Sequence, residues 1–374
     1  MLARPRPRGP DSSILESSRR RRQESGPTTY VQLKLEKFYM FRRFTANTGP
    51  ISKGLHRYDS ASKSWKPYSA PPLDSGIPRQ TTQSYLKSFA LITWNVDFSR
   101  SYAKQRLITA LNHLQSLVEE LKNKSSLQTI ILLQELHQDY YTTLLDHPFV
   151  QENYDVTDEV SDKWLTHYGL ATLIPRSDEV RVRKVFSTPF EDSRMGREAL
   201  FVDLEVAEED PSVAPKIVRI ANTHLESLDG FGNVARPKQL AAIARELSVP
   251  EVDIGIVGGD MNPIGPKDAD IPASLNLLDA WEVYCGKSSG DLAEDPEEKQ
   301  RREKDGHTWG YQPPSRYAPK RMDKVLFRGP LAIRQIERIG VGLKVAPERV
   351  EQKDIWASDH YGLLIRVDVC PTTN

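Results

Sequence analysis

Four short segments of this chain end hydrophobic runs with polar side chains of the kind that act on phosphate esters. They are Thr93-Trp94-Asn95, Gln134-Glu135, Gly259-Asp260-Met261-Asn262 and Ser358-Asp359-His360. Carboxylate and amide oxygens are ligands for hard divalent ions, and an imidazole can contact phosphate. Because all four segments follow apolar stretches, together they predict a metal-dependent phosphoesterase better than any one of them does.

Asp260 and Asn262 follow the predicted strand 254–257, where Gly258 and Gly259 allow the backbone to bend. A carboxylate and an amide two positions apart can point into one cleft. We expect Asp260 to orient and deprotonate a water, and Asn262 to donate to the oxygen that gains charge in the transition state. The alternative is an Asx turn that caps the strand.

Glu135 ends the apolar run 130–134, and Asn95 follows Trp94 in the same way. Mg²⁺ usually takes one or two carboxylates and keeps water and substrate phosphate as its other ligands. We therefore interpret Glu135 as a metal ligand. The alternative is a surface glutamate that opens the next helix, where the helix dipole favours it. For Asn95 the alternative is an ordinary turn residue.

His224 and His360 lie at the edges of predicted strands. An imidazolium would neutralise phosphate if a nearby carboxylate held its charge and tautomer. Asp323 is a candidate for orienting His360, and a salt-bridged strand residue is the alternative. Each histidine alone is more often a structural residue, so the hypothesis depends on the pair.

Hydrophobic periodicity predicts the elements that must position these side chains. Apolar residues at helical spacing indicate helices over 107–121, 137–146 and 233–247. Short apolar runs indicate strands at 89–94, 129–133, 168–174, 180–186, 198–206, 216–223, 254–257, 323–327 and 361–368. Many strands with few helices favour an α+β fold, a two-sheet sandwich with outer helices, over a doubly wound parallel sheet.

The charge pattern limits the kinds of partner. The chain has 51 basic and 51 acidic residues, but residues 1–29 contain seven arginines against three acids, so this arm carries +4 and the rest −4. A mildly acidic body argues against coating of nucleic acid through bulk charge and favours a local groove. Cys285 and Cys370 are too few for a disulfide framework, which favours a reducing intracellular compartment. No apolar run reaches the ~18–20 residues of a membrane span.

Composition divides the chain into three parts. Residues 1–29 form an Arg-rich arm that we expect to be disordered. Residues 30–84 form an appendage, with a hairpin at 55–68 and a linker at 69–84, and residues 85–374 form the catalytic domain. The run Arg19 to Arg22 suits nuclear import, and a transit peptide or a solvated tail are the alternatives. The nucleus is therefore the expected location, with the cytoplasm or mitochondrion as alternatives.

Taken together, these segments resemble the endonuclease/exonuclease/phosphatase superfamily over residues 88–368. Further segments that carry the likeness are Met195-Gly196-Arg197, Thr223-His224-Leu225-Glu226-Ser227, Thr308-Trp309 and Arg321-Met322-Asp323-Lys324-Val325. Within the superfamily the chain is most similar to 5′-tyrosyl-DNA phosphodiesterases of the type that repairs trapped topoisomerase II adducts. It departs from that type at Pro263-Ile264-Gly265 and at Gly310, where a basic and an acidic residue are usual.

The resemblance implies a DNase I-like fold, a four-layer α/β/β/α sandwich of two mainly antiparallel sheets with outer helices. It also implies Mg²⁺ as cofactor, with Mn²⁺ as a substitute. The implied catalytic residues are Asp260, Asn262, His360, His224 and Asn95, the implied metal ligands are Glu135 and Asn95, the supporting carboxylates are Asp323 and Asp359, and the substrate-binding residues are Arg197, Trp309 and Arg321.

The implied activity is removal of 5′-tyrosyl adducts from DNA ends in DNA repair, by a monomer that binds DNA 5′ ends and no membrane. RNA, nucleotides, inositol phosphates and lipid head groups are alternative substrates within the superfamily, and a non-catalytic scaffold is a third hypothesis. An apolar ledge of Trp309, Tyr311, Leu326 and Phe327 would favour a stacked base or tyrosine. An inositol phosphatase would instead need additional basic contacts.

Overall fold

Successive side chains of a strand point to opposite faces of its sheet. The continuous apolar runs of this chain therefore place apolar side chains on both faces of two sheets. The computed structural model describes residues 49–69, 86–162, 164–206, 214–289, 296–347 and 354–369. Within the strand formed by residues 88–95, Leu91 belongs to the cluster between the sheets, whereas its neighbour Ile92 belongs to the cluster under a helix. The predicted arm at residues 1–29 lies outside the described residues, as does the predicted linker apart from Ser69.

Fifteen strands are present in the described ranges. They are β1 (Ile51–Ser52), β2 (Leu55–Asp59), β3 (Ser64–Tyr68), β4 (Ser88–Asn95), β5 (Gln128–His137), β6 (Tyr154–Val156), β7 (Tyr168–Pro175), β8 (Arg181–Pro189), β9 (Glu198–Val206), β10 (Lys216–His224), β11 (Ile254–Asp260), β12 (Leu278–Asp279), β13 (Asp323–Arg328), β14 (Leu331–Ile339) and β15 (Gly362–Val369).

The strands form two sheets. The seven-stranded sheet has the order β1-β8-β9-β10-β11-β13-β12, and the eight-stranded sheet has the order β14-β15-β4-β5-β7-β6-β2-β3. The β4–β5 and β10–β11 pairs are parallel, and the other described pairs are antiparallel. The hairpin predicted over residues 55–68 is present as β2 and β3, and it joins the eight-stranded sheet through β6.

Helices cover the outer faces of both sheets. They are α1 (Ala103–Ser125), α2 (Tyr141–Leu145), α3 (Pro148–Asn153), α4 (Phe231–Glu246), α5 (Ile271–Ser274), α6 (Ala280–Ser289) and α7 (Pro296–Gly306). Leu107 and Leu111 of α1 pack on the eight-stranded sheet, and Leu240 and Ile243 of α4 pack on the other. Each fully buried side chain of this kind stabilises the fold by ~1.5–3 kcal/mol. The predicted α+β sandwich with outer helices is confirmed. None of the helices in the described part of the chain is long and apolar enough to cross a membrane.

Several elements differ from the sequence prediction, and two of the differences concern longer segments. The helix predicted at 137–146 is a 3₁₀ turn, Gln138–Tyr140, followed by the short helix α2, because β5 extends to His137. Strand β14 was not predicted. Its alternation is interrupted by a bulge between Ile333 and Gln335, and charged residues are exposed along it. A broken period of two hides a strand from pattern analysis.

Candidate active site

The same alternation of side-chain direction along the strands that fills the space between the sheets also directs polar side chains to one end of that space. Asn95, His224, Asp260 and Asp323 each stand an even number of positions from residues of their own strand that face the other sheet. The parallel pairs end at the same edge, so His224 lies opposite Asp260, and Asp260 lies opposite Asp323 on its other side. Four polar side chains from two sheets therefore converge where the apolar interior ends.

Glu135 reaches this cluster only because its strand is irregular. By simple alternation it would face α1, as Ile131 and Leu133 do. A bulge between Leu133 and Leu136 inserts one extra residue, and Glu135 adopts a φ of 59°. A positive φ is uncommon for a residue with a side chain, and bulges redirect side chains at functional edges. The amide nitrogen of Asn95 donates to the Glu135 carboxylate at 3.1 Å.

The carboxylate of Asp260 is the centre of the cluster. Its Oδ2 accepts from the amide nitrogen of Asn95 at 3.1 Å and lies 3.3 Å from Nε2 of His224 and 3.8 Å from Nε2 of His360. Its Oδ1 accepts from the backbone N–H of Asn262 at 2.9 Å. Asp260 is almost completely buried, so hydrogen bonds of this kind are needed to keep a carboxylate there.

His360 is held from both sides. Its Nδ1 lies 2.8 Å from Oδ2 of Asp323, which is fully buried in β13. The hydroxyl of Ser358 accepts from the backbone N–H of His360 at 3.0 Å and donates to the carbonyl of Asn95 at 2.6 Å. Of the two carboxylates considered as supports for His360, Asp323 makes the direct contact. Asp359 is 3.8 Å from Nε2 and is paired with Arg100.

Burial and neighbouring charges set the protonation of the cluster. Burial raises the pKa of Glu135 to about 7, and the carboxylate of Asp97 adds to the rise. Burial also raises the pKa of Asp260, although His360 opposes the change. Burial, Arg197 and His360 lower the pKa of His224 well below its usual value, so its ring is neutral.

The two histidines therefore differ in charge. Burial alone would lower the pKa of His360, but Asp323 and Asp260 outweigh it and raise the pKa well above its usual value. The guanidinium of Arg197 donates to Nδ1 of His224, which leaves the hydrogen of the neutral ring on Nε2, facing Asp260. Only one of the two expected imidazoliums is present, and Arg197 carries the second positive charge.

The other predicted residues lie at different distances from the cluster. Asn262, with a φ of 46°, donates through its amide to the carbonyl of Leu225 at 3.0 Å. Trp309 is half-buried and forms an antiparallel bridge with His360. Arg321 is held by two carboxylates that do not belong to the cluster, since its guanidinium donates to Asp279 at 2.7 Å and to Glu282 at 2.7 Å. Its role in substrate binding stays a prediction.

The predicted apolar ledge is wrong for two of its four members. Leu326 and Phe327 are 0% and 2% exposed. Phe327 packs between the sheets and Leu326 packs under α4, because a strand in the middle of a sandwich buries both of its faces. Neither side chain can contact a substrate.

Two buried carboxylates have positions that the sequence interpretation did not assign. Asp97, two residues after Asn95, is held by Arg106 at 2.6 Å and by Arg100 at 3.0 Å. Glu226, two residues after His224, accepts from the hydroxyl of Ser193 at 2.7 Å. Both follow recognised strand-end residues at a spacing of two, and Glu226 also lies in the segment 223–227 that carries the family resemblance.

The donor set suits a hard divalent ion. Glu135 and Asp260 are carboxylates that share the amide nitrogen of Asn95, and burial, with the carboxylate of Asp97, raises the pKa of Glu135. Donor atoms of Asp260, Asp323 and His360 also lie within 4.8 Å of one another. Glu135 fits Mg²⁺ better, since it is at the rim, with 18% of its side chain exposed, whereas Asp323 is fully buried. Mg²⁺ keeps several waters and therefore needs an open side.

Comparison with known proteins gives a family and a fold for this chain. The model of the Endonuclease/Exonuclease/phosphatase family matches residues 92–360. The structure of humanized D. rerio TDP2 with 14 mutations is 19% identical with a TM-score of 0.54, and the match covers 75% of this chain and 99% of that one. Comparison with curated protein sequences gives no match.

Two further solved structures share the fold. The structure of D. rerio TDP2 complexed with single strand DNA product is 18% identical with a TM-score of 0.51, over 75% of this chain and 99% of that one. An endonuclease/exonuclease/phosphatase from Bacteroides vulgatus is 16% identical with a TM-score of 0.50, over 76% and 99%. At these identities the likeness establishes the fold.

The fold and the family match define an enzyme, a hydrolase of the metal-dependent phosphodiesterase type. Because the family model spans residues 92–360, from β4 to His360, the chain belongs to the endonuclease/exonuclease/phosphatase family. The resemblance stated from the sequence is confirmed at this level.

Proposed function

We propose that this enzyme is a Mg²⁺-dependent phosphodiesterase that removes 5′-tyrosyl adducts from DNA ends. The observation that carries the proposal is the convergence of Glu135, Asp260 and His360 on one rim between the sheets. The strings Met195-Gly196-Arg197 and Thr223-His224-Leu225-Glu226 support the tyrosyl-DNA type. The D. rerio TDP2 structure that holds a single-strand DNA product supports DNA as the polymer.

In this proposal Glu135 holds the ion, with Asn95 beside it. When bound, Mg²⁺ polarises a phosphoryl oxygen and offsets the charge of the phosphate. Asp260 accepts a hydrogen bond from the attacking water and takes its proton, a task for which its raised pKa suits it. Asn262 has a second amide hydrogen beyond the one given to Leu225, and this hydrogen is available to a phosphoryl oxygen.

The two histidines act on the phosphate in different ways. His360 is charged and is oriented by Asp323, so Nε2 donates to a phosphoryl oxygen with positive charge behind it. His224 is neutral and keeps Asp260 aligned through Nε2. Arg197, beside His224, adds charge for the phosphate at that side. Positioned donors and charges of this kind stabilise a phosphoryl transition state.

The experiment that tests the proposal is hydrolysis of a 5′-phosphotyrosyl oligonucleotide with Mg²⁺, beside plain DNA, RNA and inositol phosphates. The parent is expected to prefer the tyrosyl substrate, and Asp260→Ala to lose ~10²–10⁴-fold in rate. Asp178→Ala, in the exposed turn after β7, is the matched control and is expected to keep parental activity. Equal activity of Asp260→Ala and the parent would show that Asp260 is misassigned, and preference for another substrate would refute the tyrosyl-DNA assignment.

We also propose that the enzyme acts as a monomer and in the nucleus. The Arg19 to Arg22 run supports the location. Imaging of a tagged chain with and without these arginines would test the location. The molar mass in solution, measured by light scattering, would test the oligomeric state.

A further inference from the structure

Four aromatic rings lie beside the carboxylate cluster. Phe98 follows Asn95 by three residues, His137 follows Glu135 by two, and His167 and Tyr168 stand at the start of β7. We call these four residues the aromatic shelf. Phe98 and His137 follow the strands that supply Asn95 and Glu135, and Tyr168 lies opposite His137 on the neighbouring strand, which places the shelf along one wall of the site.

The rings of the shelf pack against one another. Phe98 stacks on Tyr168 with centroids 4.5 Å apart and planes 11° apart, and it faces His137 at 5.7 Å and 29°. His137 and His167 are 5.4 Å apart. Offset or stacked rings at these distances attract one another, so the four side chains stabilise one another's positions.

Most of the shelf lies at the margin of the hydrophobic core, although Tyr168, at 8% exposed, is buried. None of its four members belongs to the three buried clusters found in the described residues. Phe98, His137 and His167 are half-buried, and Tyr140, which packs on His137 at 5.6 Å, is 37% exposed. Rings left partly in water at the edge of a cleft are the usual walls of a binding site for an apolar or aromatic group.

Arg197 connects the shelf to the cluster. Its guanidinium lies 5.1 Å from the ring centre of Tyr168 and also contacts His224. Tyr168 lines a narrow pocket together with Glu135, Arg197 and His224. A phosphate held at the cluster would therefore have one of its ester groups beside the rings.

From this arrangement we infer that the aromatic shelf binds a planar ring carried by a group esterified to the scissile phosphate. The inference rests on the proposed phosphodiester chemistry and adds a specificity determinant to it. Two groups of a substrate offer such a ring, namely a phenolic leaving group and the first nucleobase. Stacking of a ring on aromatic side chains is worth a factor of ~5–140 in affinity.

The test measures binding, so it does not depend on turnover. Kd is determined by calorimetry, with Mg²⁺ present, for p-nitrophenyl and methyl esters of thymidine 5′-phosphate and for the p-nitrophenyl ester of the abasic sugar phosphate. The proteins are Asp260→Ala and the double variant Asp260→Ala, Phe98→Ala. Phe98→Tyr in the same background keeps a flat ring. Tyr58→Ala is the matched control, because Tyr58 is half-buried and packs on Trp65 at 5.6 Å in the hairpin.

A phenol-binding shelf predicts that Phe98→Ala weakens binding of both p-nitrophenyl esters ~5–140-fold and leaves the methyl ester unchanged. A base-binding shelf predicts the loss for both thymidine esters and none for the abasic ester. Either result supports the inference, provided that Phe98→Tyr and Tyr58→Ala bind as Asp260→Ala does. No loss, an equal loss for all three esters, or an equal loss in Phe98→Tyr would overturn it. Failure of the parent to cleave tyrosyl DNA would refute the proposed function and leave this result standing.

Discussion

The side chains of Asn95 and Asp260 come from different sheets and meet at 3.1 Å at the rim between them. The same amide nitrogen donates to Glu135 at 3.1 Å, and the amide oxygen accepts from the backbone N–H of Asp97 at 3.0 Å. That last bond fixes which end of the amide faces the carboxylates. Asn95 thus separates two carboxylates that would otherwise repel each other.

Replacing Asn95 tests this bridging role. Asn95→Ala removes the two donated hydrogen bonds, whereas Asn95→Asp puts a third carboxylate between Glu135 and Asp260. We expect Asn95→Asp to be the less stable variant at pH 8, because like charges in a buried site destabilise the fold. Both variants should lose ~10²–10³-fold in turnover. Urea unfolding and steady-state kinetics check this, and an Asp variant at least as stable as the Ala variant would contradict it.

Gly259 allows β10 and β11 to approach each other just before Asp260. Its φ is 150°, and a Cβ there would lie 1.8 Å from the carbonyl oxygen of Thr223. We expect Gly259→Ala to lower the free energy of unfolding by more than ~3 kcal/mol, since backbone would have to move. Gly342→Ala is the matched control, with a φ of 74° and open space around the added methyl group. Equal losses for the two variants, measured by urea unfolding, would show that positive φ alone matters.

Glu226 positions the segment that carries Arg197. Its carboxylate accepts from the hydroxyl of Ser193 at 2.7 Å and from the backbone N–H of Arg194 at 3.0 Å. Glu226→Gln places an N–H against one of these donors, so Arg197 should shift relative to His224. We expect kcat to fall ~10–100-fold at a temperature where the variant remains folded.

Asp192→Ala is the control for Glu226, because it removes an exposed ion pair with Lys238 in the same segment and leaves the bonds of Glu226 in place. It should lose less activity than Glu226→Gln. Unchanged kcat in Glu226→Gln, together with a lowered melting temperature, would limit Glu226 to a structural role.

Asp279 gives the fold a predictable dependence on pH. Burial alone would raise the pKa of Asp279, but Arg321 and Lys324 outweigh it and hold the pKa below its usual value. Stability from this carboxylate is therefore present above its unfolded pKa of about 3.9 and is lost as the pH falls through the lower folded value. Asp279→Asn should cost ~1.5–3 kcal/mol at pH 7.

Urea unfolding at pH 7, 5 and 3 checks the Asp279 prediction. The difference between parent and Asp279→Asn should be constant from pH 7 to 5 and should shrink at pH 3. Asp178→Asn, which alters an exposed turn, should match the parent throughout. A difference that does not change with pH would contradict an ionised Asp279 as its source.

Much of the fold and the membership of the site could be predicted from the sequence. Strands such as 198–206 have clear patterns, and Asn95, His224 and Asp260 follow strands whose alternation can be read directly. Parallel pairing of strands then brings such ends together. Residues that continue a regular pattern are the ones for which sequence analysis succeeds.

The remaining features depend on irregular backbone or on tertiary contacts. No residue in the sequence around Glu135 predicts the bulge that turns its side chain to the cluster. Arg321 was expected at the substrate, yet Asp279 and Glu282, some 40 positions earlier in the chain, hold it elsewhere. The aromatic shelf likewise joins rings from three separate segments.

The central claim is that Glu135 and Asp260 belong to one site that hydrolyses a phosphodiester. Turnover of a 5′-phosphotyrosyl oligonucleotide by the parent, Glu135→Ala, Asp260→Ala and the double variant tests it most directly. Residues that act as a unit give non-additive losses, so each single variant should lose ~10²–10⁴-fold and the double variant no more than the worse single one. Parental rates in either single variant, or a double loss equal to the product of the single losses, would contradict the account.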